Sequence, residues 1–166
     1  MIRRTFALAG FLTLLLTTIG VAAVAGPAAA IPPEPPGIYS GHVFNGASPR
    51  CLDSGIPANT QLWNCSTSVY QQWTYSPRPA LRTIRGNSPS GCLDDGAGTN
   101  GSGAFLATCS GSLHQKWDLV GNAIVNAASG RCLDADLGTI GGQGTKVQVW
   151  DCAGGANQQW FFEFTP

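Results

Sequence analysis

One segment of this chain gathers a carboxylate, an aromatic ring and several amides at close spacing. Its members are Asp134, Gln148, Trp150, Asn157 and Gln158. An aromatic ring can stack on the apolar C–H face of a cyclic ligand, while a carboxylate accepts hydrogen bonds from adjacent hydroxyls and amides both donate and accept. Together these groups suit a neutral, hydroxyl-rich ligand such as a sugar. The alternative is structural, with Asp134 capping a turn and Gln158 tying down the backbone.

Two earlier segments carry altered copies of this set. The first contains Asp53, Gln61, Trp63 and Gln71, with Tyr70 in the place of Asn157. Asp53 and Trp63 are 10 positions apart, against 16 for Asp134 and Trp150, so we expect a shallower or reshaped site.

The second copy keeps Asp94 and Gln115, but Ala107 replaces the ring and His114 replaces the amide. We expect little ligand binding there unless Phe105 or His114 substitutes. The glutamine occurs in all three copies (Gln71, Gln115, Gln158), so a structural role explains it as well as a ligand role does.

These copies belong to a unit of about 40 to 44 residues that occurs three times. Each unit contains Cys-Leu-Asp, a second cysteine 14 to 20 residues later, and then Gln-x-Trp. Six cysteines allow fifteen pairings. The repeats favour pairing within each unit, namely Cys51 with Cys65, Cys92 with Cys109, and Cys132 with Cys152. In the chain-entropy model, each of these disulfides stabilises the folded state by roughly 3 kcal/mol, because it closes a loop in the unfolded chain. Without Cys-x-x-Cys pairs or a histidine cluster, we expect no metal site and no cofactor.

The fold class follows from the frequency of turn residues. The chain has 22 Gly and 11 Pro, and no apolar pattern of helical period persists for ten residues. Short apolar pieces such as residues 146–150 and 160–162 have strand composition. Three similar repeats of about four strands predict an all-β chain with pseudo-threefold symmetry, and we favour a β-trefoil because a three-bladed propeller would be too small to close.

The five tryptophans divide by position. Trp73, Trp117 and Trp160 occur in every repeat and are predicted to be core residues. The same prediction applies to the apolar series Leu62, Leu106 and Val149. The neighbouring position holds Trp63, Ala107 and Trp150 in the three repeats; a core site would not accept both Trp and Ala, so Trp63 and Trp150 are predicted to be exposed.

Residues 1–30 have the layout of a secretory signal peptide. Arg3 and Arg4 precede an uncharged run over residues 5–25, and three alanines at 28–30 offer a cleavage site. An uncleaved membrane anchor is the alternative, and the arginine pair is compatible with either general or twin-arginine export. Cleavage would leave seven basic against nine acidic residues, a balance that disfavours nucleic-acid binding. A Pro-rich segment follows at 31–36.

With these motifs in hand, the chain resembles the ricin B-type lectin family, also called family 13 carbohydrate-binding modules. The resemblance covers residues 37–166, with repeats at about 37–77, 78–120 and 121–166. It implies a twelve-stranded β-trefoil with up to three sites for galactose, xylose or their polymers. Family sites use the Asp after Cys-Leu, the aromatic before the second Cys and the Asn before Gln-x-Trp. The third repeat matches at Asp134, Trp150 and Asn157, with Gln148 and Gln158 beside them.

We therefore expect a secreted, non-catalytic lectin module that has no membrane partner once the leader is removed. Glycoside hydrolysis needs two suitably spaced carboxylates, and after the leader only Glu34 and Glu163 are glutamates. The alternative is a secreted protein-binding trefoil, such as an inhibitor or toxin-like subunit, for which Arg78, Arg82 and Arg85 are the best sequence indication. A module belonging to a larger enzyme is a third possibility. The sequence does not specify the oligomeric state.

Overall fold

The computed structural model describes residues 39–56, 59–76, 83–87 and 90–164. The predicted leader (1–30), the Pro-rich segment (31–36), Arg78 and Arg82 lie outside these ranges. The strands are β1 (Tyr39–Asn45), β2 (Ser48–Ile56), β3 (Asn59–Asn64), β4 (Trp73–Ser76), β5 (Thr83–Asn87), β6 (Ser90–Asp94), β7 (Phe105–Ala107), β8 (Trp117–Val120), β9 (Ala123–Asn126), β10 (Cys132–Ala135), β11 (Thr145–Trp150) and β12 (Trp160–Phe164).

These twelve strands fall four to a repeat, which confirms the predicted all-β architecture. Short 3-10 helices at Val69–Gln71, Leu113–Gln115 and Ala156–Gln158 precede the last strand of each repeat. Across the described part of the chain, no helix has the length and apolar character needed to span a bilayer.

All the strand pairs are antiparallel. The second and third strands of each repeat form a hairpin: β2 with β3, β6 with β7, and β10 with β11. The repeats are joined by β4 with β5 and by β8 with β9, while β12 pairs with β1. A further pairing of β3 with β11 places the first and third hairpins side by side. The first and third hairpins are thus each supported by a strand of the other repeat as well as by their own.

The core is built from equivalent residues of the three repeats. Its members are Val43, Ile84 and Ile124 from the first strands, Leu52, Leu93 and Leu133 from Cys-Leu-Asp, and Trp73, Trp117 and Trp160 from Gln-x-Trp. Leu62 and Val149 are fully buried, as predicted, and Leu106 is partly buried against the same cluster. The repeat pattern therefore identified the core correctly.

Each core tryptophan also fixes the strand that carries the Cys-Leu-Asp motif of its own repeat. The indole Nε1 donates to the carbonyl of Leu52, Leu93 or Leu133 at 2.8, 2.8 and 2.9 Å. A buried indole N–H needs such an acceptor, because leaving it unpaired would cost the desolvation of the donor. The aspartate that follows each of these leucines is consequently held in a fixed position.

Three disulfides bracket the hairpins, with the predicted partners. The bonds join Cys51 to Cys65, Cys92 to Cys109, and Cys132 to Cys152, with Cα–Cα separations of 5.0, 5.1 and 5.1 Å. The first cysteine of each pair starts the Cys-Leu-Asp motif, and the second lies two residues beyond Trp63, Ala107 or Trp150. Each disulfide therefore joins the two strands of one hairpin at its open end.

Candidate functional site

The candidate residues of the third repeat share one face of the β10–β11 hairpin. Asp134 lies opposite Gln148, and Cys132 lies opposite Trp150, in the strand register. Because side chains alternate along a strand, the residue between them, Val149, points into the core. The carboxylate, the amide and the ring are thereby presented together.

The tryptophans divide as predicted. Trp150 is 44% exposed and Trp63 is 40% exposed, while the three Gln-x-Trp tryptophans are at most 2% exposed. A large aromatic ring left in water on a rigid hairpin offers apolar area for a flat ligand to cover. The predicted division into buried and exposed tryptophans is therefore confirmed.

Asp134, on the neighbouring strand, is buried at 5% exposure among a set of amide donors. Gln148 Nε2 donates to Asp134 Oδ1 at 3.1 Å. Asn157 Nδ2 and Gln158 Nε2 donate to Oδ2 at 2.8 and 2.9 Å. The structure therefore brings the predicted polar residues of the third repeat into one network centred on the carboxylate.

Burial raises the pKa of the Asp134 carboxyl above its ordinary value. The hydrogen bonds from Gln158, Gln148 and Asn157 oppose this increase in pKa, whereas the nearby charge of Asp136 adds to it. A carboxylate that is desolvated yet held by amides is oriented in advance and gains from any further donor that reaches it.

Two amide oxygens of the network accept no hydrogen bond from the described part of the chain. Among the described residues, no donor reaches Gln148 Oε1 or Asn157 Oδ1, although the nitrogens of both amides are bonded to Asp134. Hydroxyl groups of a ligand could donate to these oxygens as well as to the carboxylate.

The glutamine of Gln-x-Trp differs from Gln148 and Asn157, because both ends of its side-chain amide are bonded to the backbone. Gln158 Nε2 also donates to the Asp151 carbonyl at 3.0 Å, and its Oε1 accepts from Ala153 N at 2.7 Å. Gln71 and Gln115 make the equivalent bonds to their own aspartate, to a backbone carbonyl and to a backbone N–H. We assign these glutamines to positioning the aspartate; direct contact of Gln71 or Gln158 with a ligand stays a prediction.

The first repeat presents a related but altered site. Asp53 lies opposite Gln61, but its Oδ1 accepts from the backbone N of Gly55 at 2.7 Å and from Gln61 Nε2 only at 3.4 Å. Tyr70 replaces the asparagine, is 43% exposed and lies close to Gly55. The sequence indicated only that Tyr70 removes the amide of the asparagine. The structure shows that Tyr70 adds a second exposed ring near this carboxylate.

The second repeat forms the same hairpin, but it lacks the exposed tryptophan and two of the amides that accompany the aspartate of the third repeat. Asp94 lies opposite Phe105, and Cys92 lies opposite Ala107. The Asp94 carboxylate accepts from the backbone N of Gly96 at 2.9 Å, which closes a local turn. His114 is drawn away from Asp94, because its Nδ1 lies 2.6 Å from Oδ1 of the buried Asp95.

Other predicted features of the surface are only partly described. Arg85 is exposed on β5, and it is the one member of the predicted arginine set within the described ranges. Those ranges contain no group of three or more His, Cys, Asp or Glu side chains arranged to bind a metal ion.

Comparison with known proteins identifies the family. The model of the ricin-type β-trefoil lectin domain matches residues 39–160. Volkensin from Adenia volkensii is 30% identical over 132 residues, which cover 75% of this chain and 24% of volkensin. Serine protease 1 from Rarobacter faecitabidus is 40% identical over 104 residues, covering 61% of this chain and 18% of the protease. The chain therefore spans a quarter or less of either relative.

The fold is shared with solved structures. A non-toxic homologue of type II RIPs from Momordica charantia (bitter gourd), in complex with α-methyl-D-galactoside, has a TM-score of 0.64 at 23% identity. The alignment covers 76% of this chain and 48% of that one. Together with the match of the family model to residues 39–160, the repeat architecture shows that the chain belongs to the ricin-type β-trefoil lectin domain family.

Proposed function

We propose that the chain is a secreted, non-catalytic sugar-binding module whose principal site is in the third repeat. The observation that carries this proposal is the juxtaposition of the exposed Trp150 with the buried Asp134. The ring supplies apolar area, and the carboxylate supplies a charged acceptor that three amides already orient. A sugar ring presents the complementary surface, with C–H groups on one face and hydroxyls at its edge.

The proposed ligands are galactose- or xylose-type sugars and their polymers. The bitter gourd homologue was solved with α-methyl-D-galactoside, which supports the galactose class for a chain of the same fold. Asp134 accepting from two adjacent hydroxyls, with Gln148 and Asn157 beside it, would select sugars by the orientation of those hydroxyls.

We propose that the module is non-catalytic because the carboxylates near the candidate site are already engaged in hydrogen bonds. Hydrolysis of a glycosidic bond generally requires an acid and a second carboxylate on either side of it. Next to Asp134, the Asp136 oxygens accept from Gly138 N at 3.0 Å and from Thr139 Oγ1 at 3.2 Å, which fixes them in a loop. Asp134 itself is bound by amides that would serve an ionised acceptor better than a proton donor.

Secretion is proposed from the sequence of the leader and supported by the disulfides. Three disulfides within a single small domain are typical of oxidising compartments. Since the chain matches only part of longer relatives, the same module could equally serve a larger protein by attaching it to a polysaccharide.

The first-repeat site is proposed as a weaker, second contact. It keeps Asp53, Gln61 and the exposed Trp63, and adds the exposed Tyr70. Individual shallow sites bind weakly, so retention on a polymer would depend on both sites acting together.

Titration of the chain with galactose and xylose oligosaccharides tests the proposal. Trp150→Ala is expected to weaken binding about tenfold or more, because the stacking surface is lost. Phe161→Ala is a matched control, since Phe161 is an equally exposed aromatic (44%) on β12, outside the candidate site. Equal affinity of both variants would contradict the third-repeat assignment, and no binding by the unaltered chain would contradict the function.

A further inference from the structure

A loop of the second repeat runs along the edge of β11 in the third repeat. Gly101 N donates to the Val149 carbonyl at 2.9 Å, and Val149 N donates to the Ser102 carbonyl at 2.9 Å. Two residues further on, Gly103 lies opposite Gln148 in an antiparallel bridge. The strand that carries Gln148 and Trp150 is therefore flanked by β10 on one side and by this loop on the other.

Gly101 lies directly against the exposed ring. Its φ of +85° is in the left-handed region that favours glycine, and a Cβ added there would lie 3.6 Å from Trp150 Cζ3. The same Cβ would lie 4.0 Å from Gln148 Oε1. A side chain at this position would thus extend beside both ligand-facing groups, and glycine leaves that space open.

The loop is fastened to the third repeat by side-chain hydrogen bonds. Arg131 donates from Nε to Asn100 Oδ1 at 2.7 Å and from a guanidinium nitrogen to the Gly98 carbonyl at 2.7 Å. Asn100 Nδ2 donates to Asp151 Oδ2 at 2.8 Å, and Asp151 N donates back to Asn100 Oδ1 at 2.9 Å. Because Asp151 follows Trp150 directly, this cluster fixes the loop next to the ring.

Lys146 makes one more attachment on the same strand. Its Nζ donates to the Gly101 carbonyl at 2.6 Å, so the peptide at the ring edge is held by an ammonium as well as by the backbone. The position of Gly101 is therefore determined from the third repeat at several points.

The same arrangement recurs one repeat further round. Gly144, in a loop of the third repeat, has φ of +82° and donates from N to the Leu62 carbonyl at 2.9 Å. A Cβ at Gly144 would lie 3.8 Å from Trp63 Cζ3 and 3.5 Å from Gln61 Oε1. Two rings and two glycines in equivalent positions make the contact a property of the architecture and not of one loop.

We propose that each aromatic sugar site of this chain is built from two repeats, with a loop of the preceding repeat forming the edge of the site. Gly101 from the second repeat completes the third-repeat site, and Gly144 from the third repeat completes the first. Both glycines leave the edge of the ring uncovered, so that a sugar can reach it. The inference rests on the proposed function, and it gives the second repeat a part in sugar binding although Ala107 replaces the tryptophan in its own hairpin.

The test compares Gly101→Ala and Gly144→Ala with Gly111→Ala. Gly111 has a similar φ of +77°, but a Cβ there would meet nothing within 4 Å, so its variant has the backbone strain without the contact. Aromatic NMR signals of Trp150 and Trp63, assigned with Trp150→Phe and Trp63→Phe, report each ring separately. Titration with galactose and xylose oligosaccharides reports binding.

We expect Gly101→Ala to shift the ring signals of Trp150 and not those of Trp63, and Gly144→Ala to do the reverse. Gly101→Ala should also bind about fivefold more weakly than Gly111→Ala at a similar thermal midpoint. Equal affinities of Gly101→Ala and Gly111→Ala, with Trp150 signals unmoved, would overturn the inference alone. Absence of any titration by the unaltered chain would overturn the proposed function and this inference together.

Discussion

The second and third repeats fold the same motifs into the same hairpin and present different surfaces. Both pair a Cys-Leu-Asp strand with a strand that ends before the second cysteine of a disulfide, and both hold the aspartate with the Gln-x-Trp glutamine. They differ at the two strand positions that face outward. Phe105 and Ala107 occupy these positions in the second repeat, and Gln148 and Trp150 in the third.

The aspartates show what this difference does. Asp94 has one oxygen in a local turn with Gly96 N, whereas Asp134 receives Gln148 and Asn157 in addition to its glutamine. The residues common to the repeats therefore build the scaffold, and the residues that vary determine which hydrogen-bond donors surround the carboxylate.

The largest difference is expected between two tryptophans. Trp117→Ala should lower the free energy of unfolding by about 3–5 kcal/mol, because it opens a cavity and leaves the Leu93 carbonyl without its donor. Trp150→Ala should lower it by less than about 1 kcal/mol, since that ring is largely exposed. Urea unfolding of the two variants measures this contrast. A comparable loss in both would show that Trp150 is a core residue.

The two aspartates provide the next contrast. Asp134→Asn should weaken sugar binding about 10- to 100-fold, the range expected when charge-assisted hydrogen bonds are lost, and Asp94→Asn should leave it unchanged. Both variants disturb an Asp–Gln bond of the scaffold, so each controls for the folding effect in the other. Calorimetric titration is the measurement, and a matching loss in Asp94→Asn would place the binding in the second repeat.

The raised pKa of Asp134 predicts a pH dependence. Sugar affinity should fall on acidification at a pH above the ordinary 3.8 of an aspartate, because the carboxylate is protonated earlier than usual. The stability of the free protein should depend on pH in the opposite direction. Between 3.8 and the raised pKa the native state binds more protons than the unfolded state, so this group makes stability fall as pH rises.

Titrations and urea unfolding across this pH range check both signs, with Asp134→Asn subtracted to remove the other carboxylates. An affinity of the unaltered chain that stays constant down to 3.8 would show that the ligand does not depend on the charged form of Asp134.

The smallest expected effect is a gain. Introducing Phe105→Gln together with Ala107→Trp gives the second hairpin the outward residues of the third while leaving the bond of His114 to Asp95 in place. We expect a weak additional site, seen as an increase in the number of sugars bound per chain. An unchanged number, with the fold retained, would mean that the asparagine missing at His114 is also required.

Much of the fold followed from the spacing of repeated residues. The three disulfides, the core tryptophans and the exposed pair Trp63 and Trp150 were all predicted correctly, because equivalent positions of the three repeats could be compared. The contacts of Gly101 and Gly144 with the neighbouring repeats were not predicted. They depend on which loop of one repeat lies against which strand of another, and a motif within one repeat carries no information about that.

The hydrogen bonds of the aspartates could not be predicted for a related reason. The motif Cys-Leu-Asp is identical in all three repeats, yet the donor that bonds to the aspartate Oδ1 depends on the loop that follows the motif. Asp53 and Asp94 are each followed two residues later by a glycine whose backbone N–H donates to the carboxylate. Asp136 occupies the equivalent position after Asp134.

A crystal structure of the chain soaked with galactose and xylose oligosaccharides would show directly where a sugar binds. We expect a sugar stacked on Trp150, with adjacent hydroxyls donating to Asp134 and an unoccupied second repeat. A sugar bound at Asp94, or a bound sugar that leaves Trp150 uncovered, would contradict this expectation.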